Sequence, residues 1–105
     1  DKALSHYSQA LAIRQKVFGS DHPHVATALN NLGLVYNAQG QYEKAAEYLE
    51  DALEIQKKHL GEDHLKIAQA SYELGIVYQA AGDYAEALKH YQETVTLQKK
   101  TLGEQ

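Results

Sequence analysis

The chain is dominated by an internal repeat of 42 residues. Residues 22–63 and 64–105 align without a gap, and residues 1–21 match the second half of the same unit. Matched identities include Leu32/Leu74, Gly33/Gly75, Val35/Val77, Tyr36/Tyr78, Gly40/Gly82, Tyr42/Tyr84 and Ala45/Ala87. One such unit is too small to bury its own apolar face, so successive units must stack on one another. The sequence therefore predicts a stacked array of two and a half repeats.

Each repeat is predicted to form two helices, because its apolar residues recur at helical spacing. The predicted helices are, roughly, 2–18, 23–38, 42–59, 65–80 and 84–101. Gly40 and Gly82 follow the first helix of each full repeat and supply the left-handed conformation in which many helices end. Asp83 with Glu86 three residues later predicts a capping box at the start of the last helix. We expect five helices and no strands.

The recurring residues resemble the tetratricopeptide repeat pattern, Leu-Gly-x2-Tyr followed by Ala-x3-Phe/Tyr and Ala. The matching residues are Leu32, Gly33, Tyr36, Ala45, Leu49 and Ala52, then Leu74, Gly75, Tyr78, Ala87 and Tyr91. The long unit, with its linkers Gly19–His22 and Gly61–His64, resembles the kinesin light chain type. This resemblance implies an all-α, right-handed superhelix in which 1–105 is one domain and 1–21 is the second helix of a partial repeat.

Several positions depart from the family pattern. Lys57 and Lys99 stand where the family has Pro, and Leu65 replaces the Pro that opens the previous repeat. Thr94 replaces an expected Ala, and Ser71 replaces a bulky apolar residue. These departures indicate either ordinary sequence drift or a repeat adapted to a local role.

The resemblance implies that the first helix of each repeat lines a concave groove that binds a protein or peptide. The residues implied to face the groove are Thr27, Asn30, Asn31, Leu34, Asn37, Gln69, Tyr72, Glu73, Ile76 and Gln79. Amide side chains both donate and accept hydrogen bonds, which suits an extended peptide backbone. The alternative is that these amides only solvate a helix face. Glu73 and the scarcity of basic residues on these helices favour a neutral or mildly basic peptide.

Other classes of site lack support in the sequence. There is no cysteine, and the net charge is −4. His22 and His24 are only two residues apart, which is not a spacing that places two metal ligands on one helix face. The lysine pairs at helix ends complement helix dipoles, and no aromatic residues are interleaved with them for base stacking. We expect no catalytic residues, no cofactor, no metal, no nucleic-acid or membrane partner, and a cytoplasmic location.

A structural role is the alternative function. The chain opens and closes on a second helix, and neither of these helices has the polar outer face that usually caps a soluble array. We expect apolar residues of 84–101 such as Leu88, Val95 or Leu97 to lie where a following repeat would pack. Contact between such ends would build head-to-tail oligomers. Since the chain begins without Met and inside a predicted helix, we also expect a piece of a longer protein or a designed chain.

Overall fold

The computed structural model describes residues 2–61 and 64–101, and these form five α-helices and no strand. The helices are α1 (Lys2–Phe18), α2 (Pro23–Ala38), α3 (Tyr42–Leu60), α4 (Leu65–Ala81) and α5 (Tyr84–Thr101). Their bounds agree with the sequence predictions to within one residue, so the predicted all-α fold is confirmed. The pairs with substantial contact among these helices are chain neighbours, as expected of a stacked array.

Histidines cap the first helix of both full repeats. The Nδ1 atom of His22 accepts a hydrogen bond from the backbone N–H of His24 at 3.0 Å, and that of His64 accepts from Lys66 at 3.1 Å. Each histidine backbone is extended, the conformation typical of an N-cap residue. These two repeat-equivalent histidines therefore have a structural role, because they satisfy amide groups that the helix itself leaves unpaired.

Glycines end the same two helices. Gly82 has a φ of 85° and Gly40 a φ of 79°, in the left-handed region predicted for them. The amide of Asp83 then donates back to the Tyr78 carbonyl at 2.9 Å, which closes the end of α4. Half of the predicted capping box is present, since the Asp83 carboxylate accepts from the Glu86 amide at 3.4 Å.

The core runs along α3 and α4, where the next repeat packs on the previous one. The largest buried cluster comprises Ala45, Ala46, Leu49, Leu53, Ile67, Ala68, Ala70, Leu74, Val77 and Leu97. A second cluster, from Val25, Ala26, Leu29 and Ala52, joins α2 to α3. None of the α1 residues is buried, although Leu11 packs against the second cluster. Helix α1 is thus held only by side chains that remain partly exposed to solvent.

The prediction for Leu97 is wrong. Leu88 and Val95 are 57% and 50% exposed, as expected of a face that a following repeat would cover, but Leu97 is 6% exposed and belongs to the core. Two residues along a helix rotate the side chain by about 200°, so Val95 and Leu97 point to opposite sides of α5. Within the described part of the chain, no helix combines the length and the apolar character needed to cross a bilayer.

Candidate functional site

The ten residues implied to face a groove all lie on α2 or α4, and none of them is buried. The three large apolar members keep much of their surface in solvent. Leu34 and Ile76 are each 40% exposed, and Tyr72 is 50% exposed. We refer to these ten residues together as the α2–α4 face.

Four members of the α2–α4 face line one depression between the two helices. The depression is lined by Thr27, Asn30, Gln56, Lys66, Gln69, Ala70 and Glu73. Two of its polar side chains were missed from the sequence. Lys66 lies in the first turn of α4, and Gln56 comes from α3, the second helix of its repeat. The other six members of the α2–α4 face do not line this depression.

Two amide oxygens near this face are buried without a hydrogen-bond partner among the described residues. They are Oε1 of Gln56, in the depression, and Oδ1 of Asn37, near the end of α2. An unsatisfied buried acceptor costs about 1–3 kcal/mol, so a side-chain rotation that exposed either oxygen to an N–H donor would recover this cost. A peptide backbone offers such donors at regular intervals.

Glu73 introduces a carboxylate into a surface otherwise rich in amides. Burial raises the pKa of the Glu73 carboxyl above its ordinary value, because the ionised form loses solvation. Lys66 lines the same depression, so its lining carries one group of each sign.

Helix α5 supports the far end of the face. The rings of Tyr72 and Tyr91 lie 5.7 Å apart, and the Tyr91 hydroxyl donates to Oε1 of Gln79 at 2.8 Å. Tyr91 therefore braces two members of the α2–α4 face, a role that the sequence did not reveal. The signal was present, since Tyr91 occupies the aromatic position of the family pattern, but that pattern indicates only packing.

The lysine pair at the end of α3 is engaged in ion pairs. Lys57 Nζ lies 3.4 Å from a Glu93 carboxylate oxygen, and Lys58 Nζ lies 3.0 Å from Asp21. The hydrogen bond from Lys58 is the main reason that the pKa of Asp21 is lowered. Both cations thus link consecutive repeats, from α3 to α5 and from α3 to the loop before α2.

The tetratricopeptide repeat family model matches residues 1–58 and 55–100. Among solved structures, BtubC (BKLC) from P. vanneervenii is 30% identical with a TM-score of 0.86, over 94% of this chain and 40% of that one. A Podosopora anserina protein described as a kinesin light chain, with nearly identical TPR-like repeats, is 34% identical with a TM-score of 0.85. That match covers 95% of this chain and 47% of the other, so this chain spans less than half of either relative.

No curated protein matches the chain. The match to the family model nevertheless covers nearly all of the chain. This assignment agrees with the fold, the repeat length and the solved relatives. Proteins of this family generally mediate contacts between proteins. The chain belongs to the tetratricopeptide repeat family.

Proposed function

We propose that this chain is a protein-interaction module that binds an extended peptide along the α2–α4 face and carries out no catalysis. The observation that carries the proposal is the depression between α2 and α4, in which Gln56 offers a buried acceptor with no partner among the described residues. Once the Gln56 side chain rotated outward, an extended peptide would supply the missing N–H donor and would accept from the neighbouring amides of Asn30 and Gln69.

The apolar members of the face would supply affinity. Tyr72, Leu34 and Ile76 are exposed at positions beside the amides, and burying an aromatic side chain contributes more than burying a smaller one. Interfaces tend to concentrate their binding free energy in a few such aromatic anchors. We therefore expect the peptide to place one or two apolar side chains against Tyr72 and its neighbours.

The charge of the face would set the selectivity. Glu73 disfavours an acidic ligand, and Lys66 in the same depression limits the attraction for a strongly basic one. A neutral or mildly basic peptide fits this pair best. A basic side chain placed beside Glu73 would also stabilise its ionised carboxylate and so offset the cost of its partial burial.

The test is to select peptides from an unbiased display library on this chain and then measure their affinity for variants. We expect Tyr72→Ala to weaken the selected peptides by about fivefold or more, which corresponds to about 1 kcal/mol, and Asn31→Ala to weaken them less. Tyr84→Ala is the matched control, because Tyr84 is 69% exposed on α5 and lies outside the face. If no peptide is enriched, or if binding is unchanged by Tyr72→Ala, the proposed site is wrong.

Self-association is a second candidate function, and exposed apolar residues on the terminal helices favour it. Ile13 and Val17 on α1 are 62% and 66% exposed, and Leu88 and Val95 on α5 are 57% and 50% exposed. A head-to-tail contact between these faces could repeat without closing. Sedimentation over a wide concentration range distinguishes the two candidate functions. The mass of a head-to-tail assembly grows with concentration, whereas that of a peptide receptor stays constant.

A further inference from the structure

A buried histidine on α5 is surrounded by carboxylates. The His90 side chain is 7% exposed, and its Nε2 atom lies 3.5 Å from Oε2 of Glu50 and 3.9 Å from Oε1 of Glu86. Its Nδ1 atom lies 3.6 Å from Oε1 of Glu93 and has no hydrogen-bond partner among the described residues. These separations exceed the 2.7–2.9 Å or so of a charge-assisted hydrogen bond. The groups converge without bonding strongly to one another.

The separations among Glu50, Glu86 and His90 equal or somewhat exceed those between three ligands of one cation. Bonds of about 2.0–2.2 Å at tetrahedral angles place ligand atoms about 3.3–3.6 Å apart. One ligand atom from each of Glu50, Glu86 and His90 lies within 4.8 Å of the others, so small side-chain rotations would bring all three to a common centre. We propose that Glu50, Glu86 and His90 form a binding site for a divalent transition-metal ion, with Zn²⁺ the best match to one imidazole and two carboxylates.

The surroundings of His90 are those of a metal-bound imidazole. With a cation on Nε2, the ring proton resides on Nδ1 and faces Glu93, the arrangement in which a second carboxylate orients a ligating histidine. Glu93 is itself held in place, because it accepts from the Ser71 hydroxyl at 2.7 Å and pairs with Lys57 at 3.4 Å.

The ligand Glu50 is also fixed by a neighbour. The Tyr78 hydroxyl donates to Oε2 of Glu50 at 2.8 Å, and the Tyr78 ring stacks on the His90 ring with centroids 5.6 Å apart. The Glu50 carboxylate is therefore held beside the His90 ring.

The site is accessible to ions. The Glu50 and Glu86 side chains are each 40% exposed, so the outer side of the cluster is open for entry of the ion and for a water ligand. A depression beside Glu50 is also lined by Glu43, Glu47 and Asp51, which adds negative potential along the approach.

The first full repeat lacks this site and shows what stands in its place. Lys44 and Tyr48 occupy the positions equivalent to Glu86 and His90. The Tyr48 ring stacks on Tyr36 with centroids 5.4 Å apart, and Lys44 Nζ lies 5.2 Å from the Tyr36 ring centre. Within the described part of the chain, the proposed arrangement thus occurs only where the second full repeat packs on the first.

Two departures from the family pattern lie beside His90. Ser71 holds Glu93, and the Thr94 hydroxyl donates to the His90 carbonyl at 2.9 Å and to the Ala68 carbonyl at 3.2 Å. Both side chains are buried. These departures from the family pattern could reflect either sequence drift or a repeat adapted to a local role. The contacts fit the second explanation better.

The ion would link two repeats. Glu50 lies on α3 and the other two ligands lie on α5, while both helices pack on α4 between them. A cation shared across this gap would resist changes in the angle between successive repeats. It would also stabilise the folded chain, because the unfolded chain does not hold the three ligands together.

The experiment is a titration of chelator-treated protein with Zn²⁺ alone, followed by calorimetry, and a parallel titration with Co²⁺, followed by its visible absorption. We expect one equivalent of Zn²⁺ to bind and to raise the thermal midpoint, and we expect Co²⁺ to give the intense bands of a four-coordinate site. Glu86→Gln should abolish this binding. It alters a partly exposed side chain and should leave the fold intact.

A double variant provides a second test that is independent of folding defects. Glu86→Lys with His90→Tyr installs the pair found in the first repeat, where stacking on the preceding tyrosine is already accommodated. It should fold and bind no Zn²⁺. His24→Gln and His59→Gln are the controls for binding by other histidines and should keep one equivalent. If the wild-type chain binds no more Zn²⁺ than the double variant, or if either control loses the binding, the proposal is wrong.

Discussion

Two glycines set the distance between the helices of each full repeat. A methyl group added at Gly33 would lie 2.7 Å from Cγ of Leu49 and 3.2 Å from the Ala45 carbonyl oxygen. One added at Gly75 would lie 2.6 Å from the Tyr91 ring. Both approaches are shorter than van der Waals contact, so the family's Leu-Gly pair is required by packing and not by backbone conformation.

We expect Gly33→Ala to destabilise the chain. Overpacking a core costs about 1–3 kcal/mol, which exceeds the roughly 1 kcal/mol by which Ala favours a helix over Gly. Gly75→Ala should cost less, because the half-buried Tyr91 ring can move aside whereas Leu49 is 2% exposed. Urea unfolding of both variants measures this difference. A Gly33→Ala variant as stable as wild type would show that the helices can separate freely.

Glu73 should make stability depend on pH. Burial raises its pKa in the folded chain above the unfolded value, so the folded state holds the proton more tightly. Stability from this group is then fully present below the unfolded pKa and declines as pH rises through the folded pKa. Glu73→Gln should therefore have a higher thermal midpoint than wild type at neutral pH, and the gap should close below about pH 4. Parallel pH profiles would show that Glu73 is fully solvated.

At the scale of the helices, the histidine caps have a measurable role. Since His64 accepts from the Lys66 amide, His64→Ala should lower the free energy of unfolding by about 1 kcal/mol, within the 0.5–2 kcal/mol range for lost caps. His64→Asn keeps an acceptor at the cap and should retain most of the stability. Urea titration of the two variants provides the comparison. Equal losses in both would indicate that packing of the ring, and not the cap, matters.

Most of the element structure was predictable. The bounds of α1 to α5 followed from apolar periodicity and from glycines such as Gly40 and Gly82, which act through the local backbone. The predictions that failed concern side chains whose surroundings are formed by other helices. Leu97 looked exposed because its partners on α3 and α4 are distant in sequence. The Glu86 side chain, predicted to complete a capping box, instead lies 3.9 Å from Nε2 of His90.

At the scale of the whole molecule, stability should be uneven. Helix α1 contains no buried residue, whereas α3 and α4 supply most of the core. In a linear array each element is held by its neighbours, so a terminal helix that buries no residue opens most easily. We expect amide hydrogen exchange to be fastest in α1 and slowest in α3 and α4. Uniform protection along the chain would indicate one cooperative unit instead.

The sequence by itself determined the fold, because a repeat encodes the same local structure in each copy and stacking is the only way to bury its apolar face. It also indicated which helices carry the α2–α4 face, although the use of that face remains a proposal. Only the tertiary structure brought Gln56 into the depression and gathered Glu50, Glu86 and His90. The Glu86-x3-His90 spacing was visible, but neither residue indicates a ligand until α3 places Glu50 beside them. Such sites depend on distances between helices, which local periodicity does not encode.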